Sequence, residues 1–291
     1  MRVHQWSKNL FVLAAPVFAY GDRSSSTSLA SFAPAAWAFL AFGLAASAIY
    51  LLNDVLDVEK DRLHPTKRNR PIAAGELSVT AALGAAVVLA AGGLGLGFWI
   101  GGAPVAVGWI LLGYMLLNVA YGLRLKHVVL LDAFCIATGF LLRVIAGGAA
   151  SHAEISHWLL LCTLFLALFL GLEKRRAEID LLGDGGAEHR KTLGEYSPAF
   201  LDQMVTVMAA CTILTYATYT IDDQTALKFG EDNHLVWTVP FVAFGVGRYM
   251  WLVQSGKGGG NPTKVFLGGD PLFLVNSLAW AAVIVAVVLA R

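Results

Sequence analysis

The stretch that indicates most about this chain's function is Asn53-Asp54-Val55-Leu56-Asp57-Val58-Glu59-Lys60-Asp61, which follows directly on a long apolar run. If the helix of that run continues, Asp57 lies one turn from Asp54 and one turn from Asp61. Asn53 lies on the same face, four residues before Asp57. Carboxylates this close repel one another and raise one another's pKa unless a cation lies among them. Hard oxygen ligands suit Mg²⁺, which completes its shell with substrate phosphates, so the motif predicts a magnesium site for a diphosphate.

A basic segment follows the acidic motif and favours the metal site over the alternative, a solvated acidic helix end. Between Pro65 and Pro71 stand four candidate phosphate ligands, Lys67-Arg68-Asn69-Arg70. Arginine offers phosphate a planar fork of donors, and lysine offers a point charge. We therefore assign the lysine and both arginines to substrate phosphates. The alternative is that these positive charges serve only to orient the neighbouring helices in the membrane.

The composition is typical of a polytopic membrane protein. The chain has 291 residues, of which 57% are hydrophobic and 14% charged, and its mean hydropathy is +0.65. Repeated apolar runs of this kind need lipid around them. The three cysteines all fall within apolar runs without a paired spacing, so they predict small core residues and neither a disulfide framework nor a zinc site.

The apolar runs predict an all-α bundle of about nine transmembrane helices, because each is close to the ~20 residues that a bilayer requires. We expect one integral membrane domain, 1–291, with a retained first helix and no cleaved signal peptide. The predicted spans are 8–22, 34–53, 78–100, 104–121, 128–149, 157–173, 201–220, 235–254 and 272–290.

The distribution of positive charge predicts the orientation of these spans. Alternate connections hold sixteen lysines and arginines, and the other set holds three, Arg23, Lys228 and Arg291. Since cytoplasmic loops carry the excess of positive charge, the acidic motif is expected to face the cytoplasm. The sixteen residues are Arg2, Lys8, Lys60, Arg62, Lys67, Arg68, Arg70, Arg124, Lys126, Lys174, Arg175, Arg176, Arg190, Lys191, Lys257 and Lys264.

Acidic and basic residues also mix after the sixth predicted span, in Glu173-Lys174-Arg175-Arg176-Ala177-Glu178-Ile179-Asp180. If the helix continues, Lys174 lies one turn before Glu178, and Arg176 lies one turn before Asp180. Exposed salt bridges, worth roughly a few tenths of a kcal/mol each, explain both pairs. The functional alternative assigns the three basic residues and the two glutamates to the binding of a phosphorylated substrate.

Four further residues are candidates on grounds of position alone. Tyr121 and Lys126 lie at the connection after the fourth span, and Lys8 precedes the first span. We assign all three to substrate binding. The alternatives are an aromatic of the membrane belt for Tyr121 and snorkelling to lipid headgroups for Lys8. Arg143 lies well inside the fifth span, where we expect a structural partner before a catalytic task.

The residues around the acidic motif resemble a known family. Asn53-Asp54-x-x-Asp57-x-x-x-Asp61, followed by Arg68-x-Arg70-Pro71-Ile72-x-x-Gly75, resembles the first signature of the UbiA-type intramembrane prenyltransferase superfamily. That superfamily usually has a second aspartate-rich motif after the sixth span, where this chain has Glu173-Lys174-Arg175-Arg176-Ala177-Glu178. This departure looks like one branch, whose members transfer phosphoribose to a polyprenyl phosphate such as decaprenyl phosphate. The segments His4–Asn9, Gly139–Gly147 and Asn261-Pro262-Thr263 also look like that branch.

The resemblance implies 5-phosphoribosyl 1-diphosphate as the donor and a polyprenyl phosphate as the acceptor, for the synthesis of a cell-wall arabinan precursor. It implies a bacterial plasma-membrane enzyme with Mg²⁺ held by Asp54, Asp57 and Asp61, assisted by Asn53. The basic residues would hold the remaining phosphates. A phosphate acceptor is already anionic near neutral pH, which agrees with the lack of a clear general base in the sequence.

Two rival functions are kept open. An aromatic prenyltransferase of the same superfamily has a flat ring as acceptor and needs fewer cations, so the Lys174–Arg176 segment argues against it. A transporter without catalysis would place ionisable groups near the bilayer midplane, whereas here all but Arg143 lie towards one face. The sequence contains no Ser-His-Asp pattern, no P-loop and nothing that indicates nucleic-acid binding, and it is compatible with a homo-oligomer.

Overall fold

A computed structural model describes residues 3–22, 28–63, 67–100, 106–182, 194–223, 225, 234–256 and 269–289. These residues contain helices and no strands, so the predicted all-α architecture is confirmed. The α-helices are α1 (Ala14–Gly21), α2 (Phe32–Leu56), α3 (Val58–Leu63), α4 (Val79–Trp99), α5 (Ala106–Leu123), α6 (Leu131–Ser151), α7 (His157–Leu182), α8 (Pro198–Ile221), α9 (Val239–Gln254) and α10 (Pro271–Leu289). Short 3₁₀ helices lie between some of them.

Eight helical segments of the described chain are long and apolar enough to cross a membrane. They match the second to ninth predicted spans, because the length of an apolar run is set by the bilayer. The segments are Leu29–Leu56, Val79–Trp99, Ala106–Leu123, Leu131–Ser151, His157–Asp180, Pro198–Ile221, His234–Gln254 and Pro271–Leu289.

The first predicted span, 8–22, has a different structure. A 3₁₀ helix covers Val3–Leu13 and runs into the short helix α1. Pro16 has no N–H to donate to the carbonyl of Val12, so an α-helix cannot run unbroken through this segment. The N-terminal segment is therefore helical, as predicted, but is not one of the eight long spans.

Two of the long helices begin at serine caps. The Ser78 side chain accepts a hydrogen bond from the N–H of Ala81, at the start of α4. The Ser197 side chain likewise accepts from Phe200, and Pro198 occupies the first turn of α8. A capping serine satisfies an N–H that has no partner within the helix, and proline there loses no bond.

The described chain groups into two compact units. The first comprises Met1–Pro16, Thr27–Leu123 and Leu142–Glu154. Its helices α2 and α4 approach closely, because a Cβ at Gly93 would lie only 3.0 Å from the carbonyl oxygen of Ala41. Its core contains Val12, Ala38, Phe42, Ala45, Val107, Leu111, Tyr114 and Ala146.

The second unit comprises Val17–Ser26, Arg124–Leu141 and Ile155–Arg291. Helix α7 packs mainly on α8, and α9 packs on both α8 and α10. Its core contains Ala133, Phe169, Leu172, Leu201, Val205, Tyr249, Leu252 and Phe273. The single domain expected from the sequence, 1–291, stays a prediction.

Some predicted features lie outside the described residues. They are Arg2, Arg23, the start of the first basic loop at 64–66, Arg190, Lys191, Lys228, Lys257, Asn261-Pro262-Thr263, Lys264 and Arg291.

Candidate active site

The acidic motif lies at a junction of two helices. Helix α2 ends at Leu56, Asp57 adopts φ −100° and ψ 7°, and α3 starts at Val58. Two backbone bonds cross the junction, from the N–H of Asp57 to the carbonyl of Asn53 (2.9 Å) and from Asp61 to Asp57 (2.8 Å). The helix of the apolar run is therefore interrupted at Asp57. The one-turn spacing of the motif survives, because both i to i−4 bonds are made.

Arg70 joins the two ends of the acidic motif. Its Nη1 donates to Oδ1 of Asp54 at 3.1 Å and to Oδ2 of Asp61 at 2.5 Å. The Asp61 side chain is 4% exposed and that of Asp54 is 12% exposed. Two nearly buried carboxylates thus converge on one positive group, which offsets the repulsion that the spacing predicts.

The loop after α3 is folded around Arg70. The N–H of Arg70 donates to the Lys67 carbonyl at 2.9 Å, and its own carbonyl accepts from Ala74 at 2.8 Å. The loop then closes through the N–H of Gly75, which donates to Ile72. Gly75 has a φ of +80°, which residues with a side chain rarely adopt. The part of the sequence signature that ends at Gly75 therefore forms a turn, and this turn fixes the position of Arg70.

The remaining residues of the first basic loop are more open. Lys67 and Arg68 lie exposed on a 3₁₀ turn, Lys67–Asn69. Asp57 is half-buried at the helix junction. The exposed side chains of Lys67 and Arg68 are therefore accessible to a phosphorylated ligand from solvent.

Helix α5 brings its last turn to the acidic motif. A Cβ built on Gly122 would lie 2.8 Å from Oδ1 of Asn53, so the Asn53 amide lies directly against that glycine. Tyr121, the neighbour of Gly122, is half-buried. The structure therefore joins the last turn of α5 to the acidic junction, while the assignment of Tyr121 to the substrate stays a prediction.

Arg175 belongs to a buried network in the second unit. Its Nε donates to Oδ2 of Asp132 at 2.8 Å, and its Nη1 donates to Glu178 at 2.6 Å. The Tyr196 hydroxyl donates to the other oxygen of Asp132 at 2.8 Å and accepts the N–H of Leu130 at 2.7 Å. Burial raises the pKa of Tyr196, so its hydroxyl keeps the proton that it donates. Arg175 is buried with carboxylate partners, which favours a structural role.

Lys174 and Arg176 are on more accessible faces of α7. Lys174 is 50% exposed and lies 3.8 Å from a carboxylate oxygen of Glu178. Arg176 pairs with Asp180 on the same helix and donates to Asp202 of α8 at 2.7 Å. Both predicted i,i+4 pairs are therefore present, since α7 continues through Leu182. Of the three basic residues, Lys174 is the most open to a ligand.

Glu173 is the most unusual carboxylate in the described chain. It is 1% exposed, and neither of its oxygens has a hydrogen-bond partner among the described residues. Phe169, one turn earlier, packs against the ring of Tyr249 at 5.7 Å between centroids. The Tyr249 hydroxyl is also buried without a partner. The residue that the sequence assigns to substrate binding is therefore a buried carboxylate.

The last two candidates occupy short helical turns. Lys126 is half-buried on a 3₁₀ turn, Leu125–His127, in the second unit. Lys8 is half-buried on the N-terminal 3₁₀ helix of the first unit. That the acidic junction and the segment 173–180 serve one substrate stays a prediction.

Comparison with known proteins places this chain in a family. The model of the UbiA prenyltransferase family matches residues 10–278. The chain belongs to the UbiA prenyltransferase family. Since its eight apolar helices agree with membership of this membrane family, it is an integral membrane protein.

Two relatives within the UbiA family resemble the chain over nearly its whole length. A decaprenyl-phosphate phosphoribosyltransferase of Corynebacterium glutamicum is 40% identical over 99% of this chain and 85% of that protein. One of Mycolicibacterium smegmatis is 35% identical over 99% of this chain and 91% of that protein. Among solved structures, a UbiA homologue from Archaeoglobus fulgidus bound to GPP and Mg²⁺ has a TM-score of 0.70 and 19% identity, covering 99% of this chain and 97% of that one. At this identity the structural likeness supports the fold alone.

The side-chain oxygens at the acidic junction of this UbiA-family chain suit a divalent cation as ligands. The described residues contain no group of three His, Cys, Asp or Glu side chains already placed to hold a metal. They do contain two carboxylates aimed at one point, where Arg70 lies. Carboxylate oxygens that converge on a positive charge are hard ligands of the kind Mg²⁺ prefers. The residues therefore fit the cation that the sequence predicts.

Several polar contacts of this UbiA-family chain were not predicted. Asp132 lies 43 residues from its partner Arg175 and 64 residues from its partner Tyr196, and Asn9 lies 134 residues from Arg143. Arg248 lies inside a span and pairs with Asp270, a charge that the sequence analysis passed over. The signal that could have found these pairs is the presence of an ionisable residue within an apolar run, since it needs a partner there.

Proposed function

We propose that the chain transfers 5-phosphoribose from 5-phosphoribosyl 1-diphosphate to decaprenyl phosphate and releases diphosphate. The observation that carries this function is the 40% identity, over 99% of the chain, with a decaprenyl-phosphate phosphoribosyltransferase. The acidic junction with its arginine supports it, because such a site suits a substrate that carries several phosphates.

The reaction exchanges one phosphate oxygen for another at the anomeric carbon of ribose. The bond from that carbon to the diphosphate breaks, and a bond to an oxygen of the lipid phosphate forms. The acceptor is already an anion, so the protein need not remove a proton from it. Positioning of the two substrates and stabilisation of the departing negative charge supply the rate enhancement.

Asp54, Asp57 and Asp61, with Asn53, are the residues that would hold Mg²⁺. When bound, the ion supplies neutralisation of the departing diphosphate. Arg70 already lies between two of these carboxylates and would contact a phosphate oxygen beside them. This places the positive charge of the protein next to the leaving group.

The remaining phosphates are assigned to the more accessible basic residues. Lys67, Arg68 and Lys174 are exposed, and Lys8 and Lys126 are half-buried. Tyr121, the neighbour of Gly122, is assigned to the substrate at the Asn53 end of the site. Arg175, Arg176 and Glu178 of the 173–180 segment are assigned to holding its shape, since they pair with one another or with Asp132, Asp180 and Asp202. Glu173 stays a candidate for substrate binding.

The lipid acceptor explains why the enzyme is built in a membrane. Its polyprenyl tail is apolar and would extend between helices into the bilayer, while its phosphate stays at the polar end of the bundle. The excess of lysine and arginine in alternate connections supports a cytoplasmic location of that end, and the relatives are bacterial, which supports a bacterial plasma membrane. The product serves the synthesis of a cell-wall arabinan precursor.

A transfer assay tests the proposed function. The purified full chain in lipid nanodiscs receives ¹⁴C-labelled 5-phosphoribosyl 1-diphosphate, decaprenyl phosphate and MgCl₂, and label in the organic phase is counted. A parallel reaction contains labelled prenyl diphosphate and hydroxybenzoate. We expect labelled lipid phosphate in the first reaction and no labelled prenylated hydroxybenzoate in the second. Label in prenylated hydroxybenzoate, with none in lipid phosphate, would establish the aromatic prenyltransferase instead.

A further inference from the structure

The N-terminal 3₁₀ helix, Val3–Leu13, presents three different faces. A 3₁₀ helix repeats every three residues, so side chains three apart lie in one row. The row of Trp6, Asn9 and Val12 is the most buried, with Asn9 and Val12 buried and Trp6 half-buried. Lys8 belongs to a neighbouring, half-buried row, and Leu10 belongs to the exposed one. The buried row therefore determines where Lys8 is held.

Trp6 anchors the first end of the buried row on α2. Its Nε1 donates to the hydroxyl of Ser47 at 3.2 Å. Its indole lies over Gly43, where a Cβ would meet ring carbons at 2.9 Å. Ser47 precedes Asp54 by seven residues, about 10 Å along the same helix face. The N-terminal helix is thus tied to the helix that carries the acidic motif.

Val12 anchors the other end of the row on α6. A Cβ on Gly147 would lie 1.7 Å from the carbonyl oxygen of Val12, so only glycine permits this approach. The backbones of the two helices are therefore in direct contact at this point.

Asn9, in the middle of the row, is held by Arg143, one turn before Gly147. Arg143 Nε donates to the Asn9 Oδ1 at 2.9 Å, and its Nη2 donates to the Tyr114 hydroxyl at 2.9 Å. The guanidinium also lies over the Tyr114 ring at 4.7 Å. Arg143 is 5% exposed inside a membrane-spanning helix. The polar contact fixes the rotation of the N-terminal helix, which packing of Trp6 and Val12 alone would leave less well defined.

We propose that Asn9 and Arg143 are positioning residues that hold Lys8 for the binding of the phosphorylated donor. This inference rests on the proposed function, in which Lys8 contacts a donor phosphate. The oxygen of Asn9 receives the hydrogen bond, while its Nδ2 is buried without an acceptor in the described chain. An aspartate at this position would keep the accepting oxygen, whereas a leucine of similar size would lose it.

A double-mutant cycle tests the proposal in full-length protein in nanodiscs. Asn9→Leu is expected to raise KM for 5-phosphoribosyl 1-diphosphate about tenfold with kcat changed less than twofold, the pattern of lost ground-state binding. Asn9→Asp should restore KM to within about threefold of the unmodified chain, because the accepting oxygen returns. Asn9→Leu in a Lys8→Met background should add nothing to the rise in KM that Lys8→Met causes.

The control is Leu111→Val, a buried residue of the same core cluster whose side chain lies against Gly97 of α4. It should lower Tm and leave KM unchanged. Additive effects of Asn9→Leu and Lys8→Met on KM would overturn the proposal, and so would a fall in Tm for Asn9→Leu with KM unchanged. If Lys8→Met alone leaves KM unchanged, the proposal fails while the transfer reaction stands.

A labelling experiment tests the position of residue 8 without any activity. Lys8→Cys is made in a chain whose three cysteines are replaced by alanine, and its rate of reaction with a water-soluble maleimide is measured. Adding Asn9→Leu should change that rate at least threefold, and adding Asn9→Asp or Leu111→Val should not. An equal rate in all variants overturns the proposal, even if the transfer assay finds no phosphoribosyltransferase activity.

Discussion

At the scale of single residues, Arg70 explains how two nearly buried aspartates coexist at one helix junction. Its Nη1 contacts both Asp54 and Asp61, so the guanidinium occupies the position that a metal ion would favour. A single cation between two carboxylates offsets their repulsion. The same arginine should therefore compete with Mg²⁺ in the free protein and bind phosphate when the donor is present.

Arg70→Gln separates these two roles. We expect the free protein to bind Mg²⁺ about tenfold more tightly, because the carboxylates lose their competing charge, which corresponds to about 1.4 kcal/mol. The KM for the donor should rise by a similar factor. Titration calorimetry and initial rates measure the two effects. Arg62→Gln is the matched control, since the exposed Arg62 pairs with the exposed Glu59 on the same helix, α3. A weaker affinity for Mg²⁺ in Arg70→Gln would contradict the competition.

Gly122→Ala tests the contact between α5 and the acidic junction. Alanine normally stabilises a helix relative to glycine by about 1 kcal/mol. Here the added methyl would lie 2.8 Å from Oδ1 of Asn53 and must displace that amide. We expect kcat/KM to fall about tenfold while Tm is unchanged or higher. Gly113→Ala on the same helix is the control, because no atom lies within 4 Å of its Cβ position. Equal activity of the two variants would remove Asn53 from the site.

At the scale of helices, the network of Arg175 fixes the start of α6 to α7. Asp132 lies in the first turn of α6 and receives hydrogen bonds from Arg175 and from Tyr196, which precedes α8. Tyr196 also holds the N–H of Leu130, which has a positive φ of 65°. A residue with a side chain seldom adopts that conformation, so the tyrosine stabilises a strained connection.

Tyr196→Phe should lower the free energy of unfolding by about 1–3 kcal/mol, because the N–H of Leu130 and one oxygen of Asp132 lose their hydrogen bonds to the hydroxyl. Thermal unfolding in detergent measures the loss, and the KM for the donor should not change. Tyr249→Phe is a matched control, because that hydroxyl is buried without a partner and its removal should leave Tm unchanged or higher. A larger loss of Tm in Tyr249→Phe would contradict the assignment of the network.

The helices were more predictable than the contacts between them. The eight spans follow from hydropathy, because the bilayer sets their length. The pairs of Lys174 and Arg176 follow from one-turn spacing on one helix. The partner of Arg143 lies 134 residues away, and no local pattern could name Asn9. The helix break at Asp57 was missed because no glycine or proline marks it.

At the scale of the whole molecule, the described membrane-spanning helices are mainly apolar, apart from charges such as Arg143 and Arg248. The exposed large side chains are mostly aliphatic or tryptophan on membrane-spanning helices, where lipid covers them. The predicted metal and phosphate ligands cluster at helix ends and short connections. A polyprenyl phosphate has the same division, with an apolar tail and a charged head. This match explains how one membrane protein accepts both a lipid and a soluble sugar diphosphate.

The measurement that tests the central claim most directly is donor binding in nanodiscs with and without Mg²⁺, in the unmodified chain and in Asp61→Asn. Removal of Mg²⁺ should weaken binding of 5-phosphoribosyl 1-diphosphate by the unmodified chain at least tenfold, since the acidic junction then repels the diphosphate. Asp61→Asn should bind the donor equally weakly under both conditions. Donor binding by Asp61→Asn that still depends fully on Mg²⁺ would contradict a magnesium site at this junction.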